Sequence, residues 1–379
     1  MKTRRDLLAG LGASALLSGC ASPGGLSARG KGGLPQGEKV ATSWDRRLRG
    51  PFPILSVPYF EDGRIDYASL GREVRFTVGS GCPGVIWGQS NDAVDLLTLE
   101  EKLRGCEVCL EAMRWMPGTL ALGCNGEGVG DMLELARGIE SLAGKAGDVA
   151  VALIARPPSK GRSLAEVEAY YEALAGVVSR PVIIQTYVND SCPTPPPEML
   201  IELARRHPSV YGYIKEESAD ASANICREVA AKPVVRTVFS AWGGWQWAYQ
   251  SRRCGSEGLI SERCAYAPLL AYIWRQMEQG DPNRTLTAAF ALYRLLIDQR
   301  GIPGGGALRG YALHYLQRQG VFSTTWSRAY QSSVVREQGT VSVGDAKGWK
   351  LEPLRLSSRQ IAELDACYDD MLHFLRTHA

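Results

Sequence analysis

The sequence is poor in the residues that metal and triad chemistry most often use. Among 379 residues there are four histidines, His207, His314, His373 and His378, and none ends an apolar run that reads as a strand. That argues against a histidine-ligated metal and against a Ser-His-Asp triad, so no metal site is expected. Charge of one sign is also lacking. The formal net charge is +3, and setting aside Lys2, Arg4, Arg5 and Asp6 at the start leaves 40 basic against 39 acidic residues. So even a balance gives no electrostatic footprint for nucleic acid. No apolar run is long enough to span ~30 Å of hydrocarbon as a stable helix. A glycine-rich phosphate loop is missing too. The turn after the first apolar run reads Pro58-Tyr59-Phe60-Glu61-Asp62-Gly63, without the dinucleotide fingerprint that an open, doubly wound sheet would carry.

Cysteine is present without a framework. Beyond Cys20 there are Cys82, Cys106, Cys109, Cys124, Cys192, Cys226, Cys254, Cys264 and Cys367, an odd and scattered set. Cys106 and Cys109 have C-x₂-C spacing, but no second pair or nearby histidine completes a zinc site. Residues three apart also share a face of any amphipathic helix, so a structural role is expected.

The first twenty residues have the form of a targeting segment. Thr3-Arg4-Arg5-Asp6-Leu7-Leu8 is a twin-arginine pattern, followed by a mild apolar stretch from Leu11 to Leu17. Leu17-Ser18-Gly19-Cys20 resembles a bacterial lipoprotein cleavage box with Cys20 as the lipidated residue; the alternative is a soluble export signal with an incidental cysteine. The expectation is export by a twin-arginine route to the periplasm or cell envelope, with a lipid anchor on Cys20 as the contact with membrane. Twin-arginine substrates travel folded, so the thiols need not have become disulfides. Residues 21–44, rich in Gly, Ser, Pro and Lys, predict a flexible linker.

From residue 45 to 284 the pattern is regular. Eight short apolar runs, Ile54–Val57, Gly84–Gly88, Thr119–Leu122, Val149–Ala155, Val182–Tyr187, Val210–Lys215, Val234–Ser240 and Gly258–Ser261, alternate with amphipathic stretches such as Leu99 to Met113 and Leu164 to Val178. The spacing of about 25–35 residues is that of a βα unit, and eight in succession predict a (β/α)₈ TIM barrel, whose closure leaves no edge strand. Residues 285–379 predict a helical C-terminal extension, Thr285–Gln299, Ala307–Gln317 and Ser358–His378, interrupted by a polar, strand-poor insertion at 321–350 read as a long loop.

Catalytic groups in such a barrel sit at the carboxyl ends of the strands. Those ends offer Gln89, Ser90, Asn91 and Asp92; Asn125 and Glu127; Arg156; Gln185, Tyr187, Asn189 and Asp190; Lys215, Glu216 and Glu217; and Ser240, Trp242, Ser261 and Glu262. Lys215 closes the run Val210-Tyr211-Gly212-Tyr213-Ile214-Lys215. If Gly212 and Ile214 face the helices, then Tyr211, Tyr213 and Lys215 point inward. Desolvation there lowers the lysine pKa toward the range where a neutral amine attacks carbonyls. The bland alternative is a lysine paired with Glu216 or Glu217 at a solvated rim. Trp242, Trp245 and Trp247 line a pocket on one reading and belong to the core on another.

Four segments carry a family likeness. Glu61-Asp62-Gly63-Arg64-Ile65-Asp66, Leu97-Thr98-Leu99-Glu100-Glu101-Lys102, Gly212-Tyr213-Ile214-Lys215-Glu216-Glu217-Ser218, and Gly258-Leu259-Ile260-Ser261 with Ala267-Pro268 resemble, in this order and spacing, the dihydrodipicolinate synthase / N-acetylneuraminate lyase family of class I aldolases. The likeness implies that Lys215 forms a covalent imine with a small carbonyl substrate, with no other cofactor. It also implies homo-oligomers built from dimers. Gln89, Ser90, Gln185, Tyr213 and Ile260 are the implied substrate-binding residues.

The departures concern proton transfer and carboxylate binding. Gly88-Gln89-Ser90-Asn91-Asp92 stands where the family has Gly-Thr-Thr-Gly-Glu, so Ser90 can still donate to a carboxylate. Gln185 stands at the position of the relay tyrosine and cannot act as acid or base. Tyr187, two residues on, faces the same way but lies ~6–7 Å further along; it, or less favourably Tyr213, is the substitute relay. Ala155-Arg156-Pro157-Pro158-Ser159 replaces the segment that usually lends a tyrosine to a neighbouring subunit. Two expectations follow. One is a Schiff-base lyase or aldolase acting on a 2-keto acid or related carbonyl compound through Lys215 and Tyr187. The other is a non-catalytic or repurposed ligand-binding barrel at the cell envelope. Dihydrodipicolinate synthesis itself is not expected, because that pathway is cytoplasmic and the motifs are altered.

Overall fold

Residues 43–89, 94–187, 192–279, 284–297, 307–330 and 349–378 are described in a computed structural model of the chain. Ser90, Cys20, the expected linker up to residue 42 and most of the expected insertion lie outside these residues; the linker's last two residues, Ser43 and Trp44, are helical instead. Among the described residues no helix is long and apolar enough to cross a membrane.

Eight short parallel strands form the centre: β1 Gly50–Pro51, β2 Gly84–Trp87, β3 Thr119–Gly123, β4 Ala150–Ala155, β5 Val182–Gln185, β6 Tyr213–Glu216, β7 Thr237–Ser240 and β8 Gly258–Leu259. Each pairs in parallel with its neighbour from β2 through β8, and β8 returns to β1. The ring closes through Ile54, which bridges Ile86 on one side and Arg263 on the other. The architecture is a (β/α)₈ TIM barrel with a helical C-terminal segment.

Alternation along the strands sorts the apolar side chains into two cores. Phe52, Ile54, Ile86, Ala121, Ile154, Ile183, Tyr213, Phe239 and Ile260 fill the barrel interior. Val85, Leu122, Leu153, Ile184, Ile214 and Val238 face outward into the larger core beneath the helices. Trp44 and Leu48, on and just after the short helix Ser43–Arg47, close the floor of the interior core. The helix Leu99–Met113 begins on a complete capping box. Glu101 N donates to Thr98 Oγ1 at 3.1 Å while Thr98 N donates to Glu101 Oε2 at 3.0 Å.

Three expectations need correction. The first strand pairs earlier than Ile54–Val57. The amides of Gly50, Phe52 and Ile54 donate to carbonyls of Glu257, Leu259 and Glu262. Pro51 and Pro53 occupy the alternate positions, whose missing N–H groups this ladder does not use, so residues that look like strand breakers are tolerated. Tyr211, expected inward, packs outward: its hydroxyl donates to Tyr171 O at 2.5 Å. Gly212 has φ +117°, and that left-handed residue resets the alternation before β6 begins. The insertion at 321–350 is not simply a loop, because Trp326–Tyr330 and Trp349–Pro353 pair as antiparallel strands β9 and β10.

This ribbon is fixed to the barrel by a buried arginine. Arg328 forks onto Glu101, with Nη1 and Nη2 at 2.8 and 2.7 Å from its two oxygens, and donates to Gly63 O from Nε and Nη2. It also lies 4.9 Å from the Tyr59 ring centre and 4.4 Å from that of Trp349. The helices Arg284–Ile297, Ala307–Arg318 and Ser358–His378 stand where expected. Tyr315 stacks on Tyr368 at 5.6 Å, and Tyr272 meets Phe374 edge-on at 5.3 Å.

Candidate active site

Lys215 is where the alternation of β6 puts it, one inward position above Tyr213, toward the carboxyl end of the barrel. Gln185 is its register partner on β5. Arg156 follows β4 two residues beyond the interior residue Ile154, and so joins the same rim. The rim side chains are enclosed: Gln89 and Gln185 are each 1% exposed, Lys215 is 3% and Arg156 is 6%.

These side chains form a chain of contacts ending at the lysine. Gln89 Nε2 donates to Gln185 Oε1 at 2.9 Å, and Gln185 Nε2 donates to Glu217 Oε2 at 2.5 Å. The same carboxylate oxygen lies 3.1 Å from Lys215 Nζ. Residues two apart on an extended chain share a face, which is how Glu217 returns to the side of Lys215 after β6 ends at Glu216. The Glu217 amide donates to Thr186 Oγ1 at 2.7 Å, fixing that turn. Gln89 Oε1 is buried with no hydrogen-bond partner among the described residues, leaving one acceptor unused.

Burial dominates the electrostatics of Lys215 and pulls its pKa below the ordinary lysine value. The Glu217 carboxylate, by charge and by hydrogen bond, pushes back toward the ammonium, and the cation of Arg263 adds to the lowering. Arg263 is itself buried, after β8. The net direction is downward, toward a more available neutral amine.

The other expected site residues are placed as follows. Tyr187 is half-buried beneath Arg156, whose guanidinium carbon lies 5.4 Å from the ring centre. Arg156 Nη2 is 3.1 Å from each oxygen of Asp95, so its own charge is balanced. Tyr213 is inward, but its hydroxyl donates to Asp45 Oδ1 at 3.1 Å and accepts from Arg236 Nη1 at 3.2 Å. Both partners stand at the amino ends of the strands, so this hydroxyl is turned to the floor and away from the mouth. Ile260 is a fully buried member of the interior core. Asn125 spans the mouth between strands, donating to Gly88 O at 3.2 Å and accepting from Arg156 N at 2.9 Å. Trp247 is fully buried, whereas Trp242 and Trp245 are half exposed, with Trp245 stacked on Phe290 at 5.6 Å.

Two contributions were not anticipated from the sequence. Glu217 entered only as a bland salt-bridge partner, although the i, i+2 spacing to Lys215 was the signal for a shared face. Arg263 gave no signal, because it follows the short β8 in a segment of mixed polarity. A cleft of about 440 Å³ lined by Arg46, Pro83, Met116, Pro117 and Asp148 lies at the opposite end, where the strands begin. It holds no part of the Lys215 network.

No family model matches the chain. A 4-hydroxy-tetrahydrodipicolinate synthase of Mycobacterium leprae is 28% identical over 177 residues, 46% of this chain and 55% of that protein. One from Acidiphilium cryptum is 25% identical over 231 residues, 59% of this chain and 73% of that protein. The N-acetylneuraminate lyase structure from Fusobacterium nucleatum superposes with a TM-score of 0.66 at 17% identity, covering 85% of this chain and 98% of that one. The likeness to the solved structure shows a shared fold. The chain spans about half the length of the first of these curated relatives, 55% of the Mycobacterium leprae protein.

Proposed function

We propose that this chain is a member of the dihydrodipicolinate synthase / N-acetylneuraminate lyase family and a Schiff-base-forming lyase or aldolase acting on a 2-keto acid or related carbonyl compound through Lys215. One observation carries the reading: a lysine 3% exposed stands inward at the carboxyl end of β6, where its ammonium is destabilised by burial. Its amine would attack the substrate carbonyl, and the imine would serve as the electron sink, with no other cofactor. Gln89 and Gln185, held together at the mouth, would line the substrate pocket above the apolar surface of Ile260. Ser90 would help to hold an acidic group. Tyr187 stays in the reading as a group at the outer rim beneath Arg156.

The test is reductive trapping. Incubation with pyruvate, 2-oxobutyrate or 2-oxoglutarate and then borohydride should leave a stable adduct on the Lys215 peptide, seen by mass spectrometry and absent in Lys215→Ala. No adduct with any of the three would remove the reading.

A repurposed binding barrel has one observation in its favour, the glutamine at the relay position together with a Tyr213 hydroxyl committed to the floor. It requires that Lys215→Ala keep full ligand affinity. Export by the twin-arginine route and anchoring through Cys20 belong to the same proposal. Lipid label incorporated by the wild type and lost in Cys20→Ala would support the anchor.

A further inference from the structure

We propose that Glu217 is the acid–base residue for imine chemistry at Lys215, a role that rests on the Schiff-base reading above. The geometry supplies the reasons. Glu217 Oε2 is 3.1 Å from Lys215 Nζ, the atom that must lose a proton before it can attack. The carboxylate is aimed at that atom from two sides. The Gln185 amide donates to it at 2.5 Å, and the Glu217 backbone is tied to Thr186 Oγ1 at 2.7 Å. Gln185 is in turn held by Gln89. Side chains just after β2 and at the end of β5 therefore place a carboxylate on the reacting nitrogen, and the position whose residue cannot itself transfer protons becomes the one that orients the base. Glu217 is 27% exposed against 3% for Lys215, so it is the more open of the two groups.

Proton bookkeeping closes with this one carboxylate. The ammonium of Lys215 gives a proton to Glu217, and the neutral amine attacks the carbonyl carbon. Glu217 returns that proton to the alkoxide of the carbinolamine, then takes a second proton from the now-cationic nitrogen. It delivers this to the hydroxyl as the C–O bond breaks, and the nitrogen lone pair forms the C=N bond. The sum is ammonium plus carbonyl giving iminium plus water, with Glu217 again a carboxylate. Gln185 and Gln89 are positioning residues, since neither changes protonation.

The competing role for Glu217 is a plain counter-ion, and the two roles predict opposite signs. A counter-ion holds the proton on Lys215. Glu217→Gln would then release more neutral amine and speed imine formation near neutral pH. An acid–base residue instead leaves Glu217→Gln slow, by roughly 10²-fold or more. Arg263, the cation that faces Lys215 from beyond β8, is unchanged in the variant and keeps its contribution. The experiment is a time course of imine formation at pH 7 on the full chain with the same three keto acids, quenched at intervals with borohydride and read as Lys215 adduct by mass spectrometry. Glu217→Asp, which keeps the acid but withdraws it by one methylene, should fall between wild type and Glu217→Gln. Thermal melting of each variant separates slow chemistry from lost fold. Trapping by wild type with equal or faster trapping by folded Glu217→Gln would overturn the role of Glu217 alone. No trapping by wild type would overturn the Lys215 reading and this inference with it.

Discussion

At the scale of single residues the site places a cation where the fold would prefer an apolar group. Lys215 is enclosed, and its folded pKa lies below its unfolded one because burial outweighs the pull of Glu217. The sign of the stability effect follows from linkage. Between the lowered folded pKa and the ordinary lysine value the unfolded chain binds more protons, so stability rises as pH rises through that window. Below the window the full desolvation cost is present. Lys215→Met, of similar volume and uncharged, should therefore be more stable than wild type by about 1–2 kcal/mol at pH 7. The gap should narrow at pH 9.5. Urea unfolding at the two pH values checks both statements, and a variant less stable than wild type at pH 7 would refute the claim of a desolvated cation. A stabilising loss of the proposed nucleophile is the pattern expected of a residue kept for chemistry.

The elements show what could be read from the chain and what could not. Helix Leu99–Met113 was legible from its amphipathic spacing, and the structure adds the reason for its start, the Thr98–Glu101 capping box. Lys215 was legible because strand alternation fixes its direction, yet the same rule failed one turn earlier at Tyr211, where a single left-handed Gly212 shifts the phase. β1 was hidden by prolines that look like breakers and in fact sit in the silent register of the ladder. β9 and β10 were hidden because their partner strand is about twenty residues away and their anchor is one charged side chain. Arg328 is 5% exposed and holds Glu101, Gly63 and two aromatic rings together. Its removal strands a carboxylate that also caps a helix. Arg328→Ala is expected to cost about 3 kcal/mol, and Arg328→Lys to recover only part of it, because an ammonium cannot match the two-oxygen fork. Denaturant midpoints of the three proteins test this. A loss below about 1 kcal/mol, the range of an exposed pair, would mean that the ribbon is not held by Arg328.

At the scale of the whole molecule, the helices after residue 284 complete the core rather than decorate it. The barrel alone supplies one face of each contact. Phe290 packs on Trp245 and Trp247, Tyr315 meets Tyr266 from the β8 side, and Phe374 meets Tyr272. Tyr293 reaches the neighbourhood of Glu262 and Gly243, where any side chain at 243 would collide with both. Leu296, Tyr311, Leu316 and Leu364 are buried in the same continuous core. A chain ended after Gln279 would leave this apolar surface open over much of the outer layer near β7 and β8. Each large side chain left exposed forfeits about 1.5–3 kcal/mol of burial, and several together exceed the ~5–15 kcal/mol by which a domain is stable. The truncated chain should keep helical far-UV signal, lose near-UV signal from its tryptophans and bind a hydrophobic dye, the signature of a collapsed state without fixed packing. The barrel is then the part of the fold that places Lys215, and the C-terminal helices are what let it hold that place. A truncated chain that melts cooperatively and still traps keto acid on Lys215 would show the helices to be dispensable.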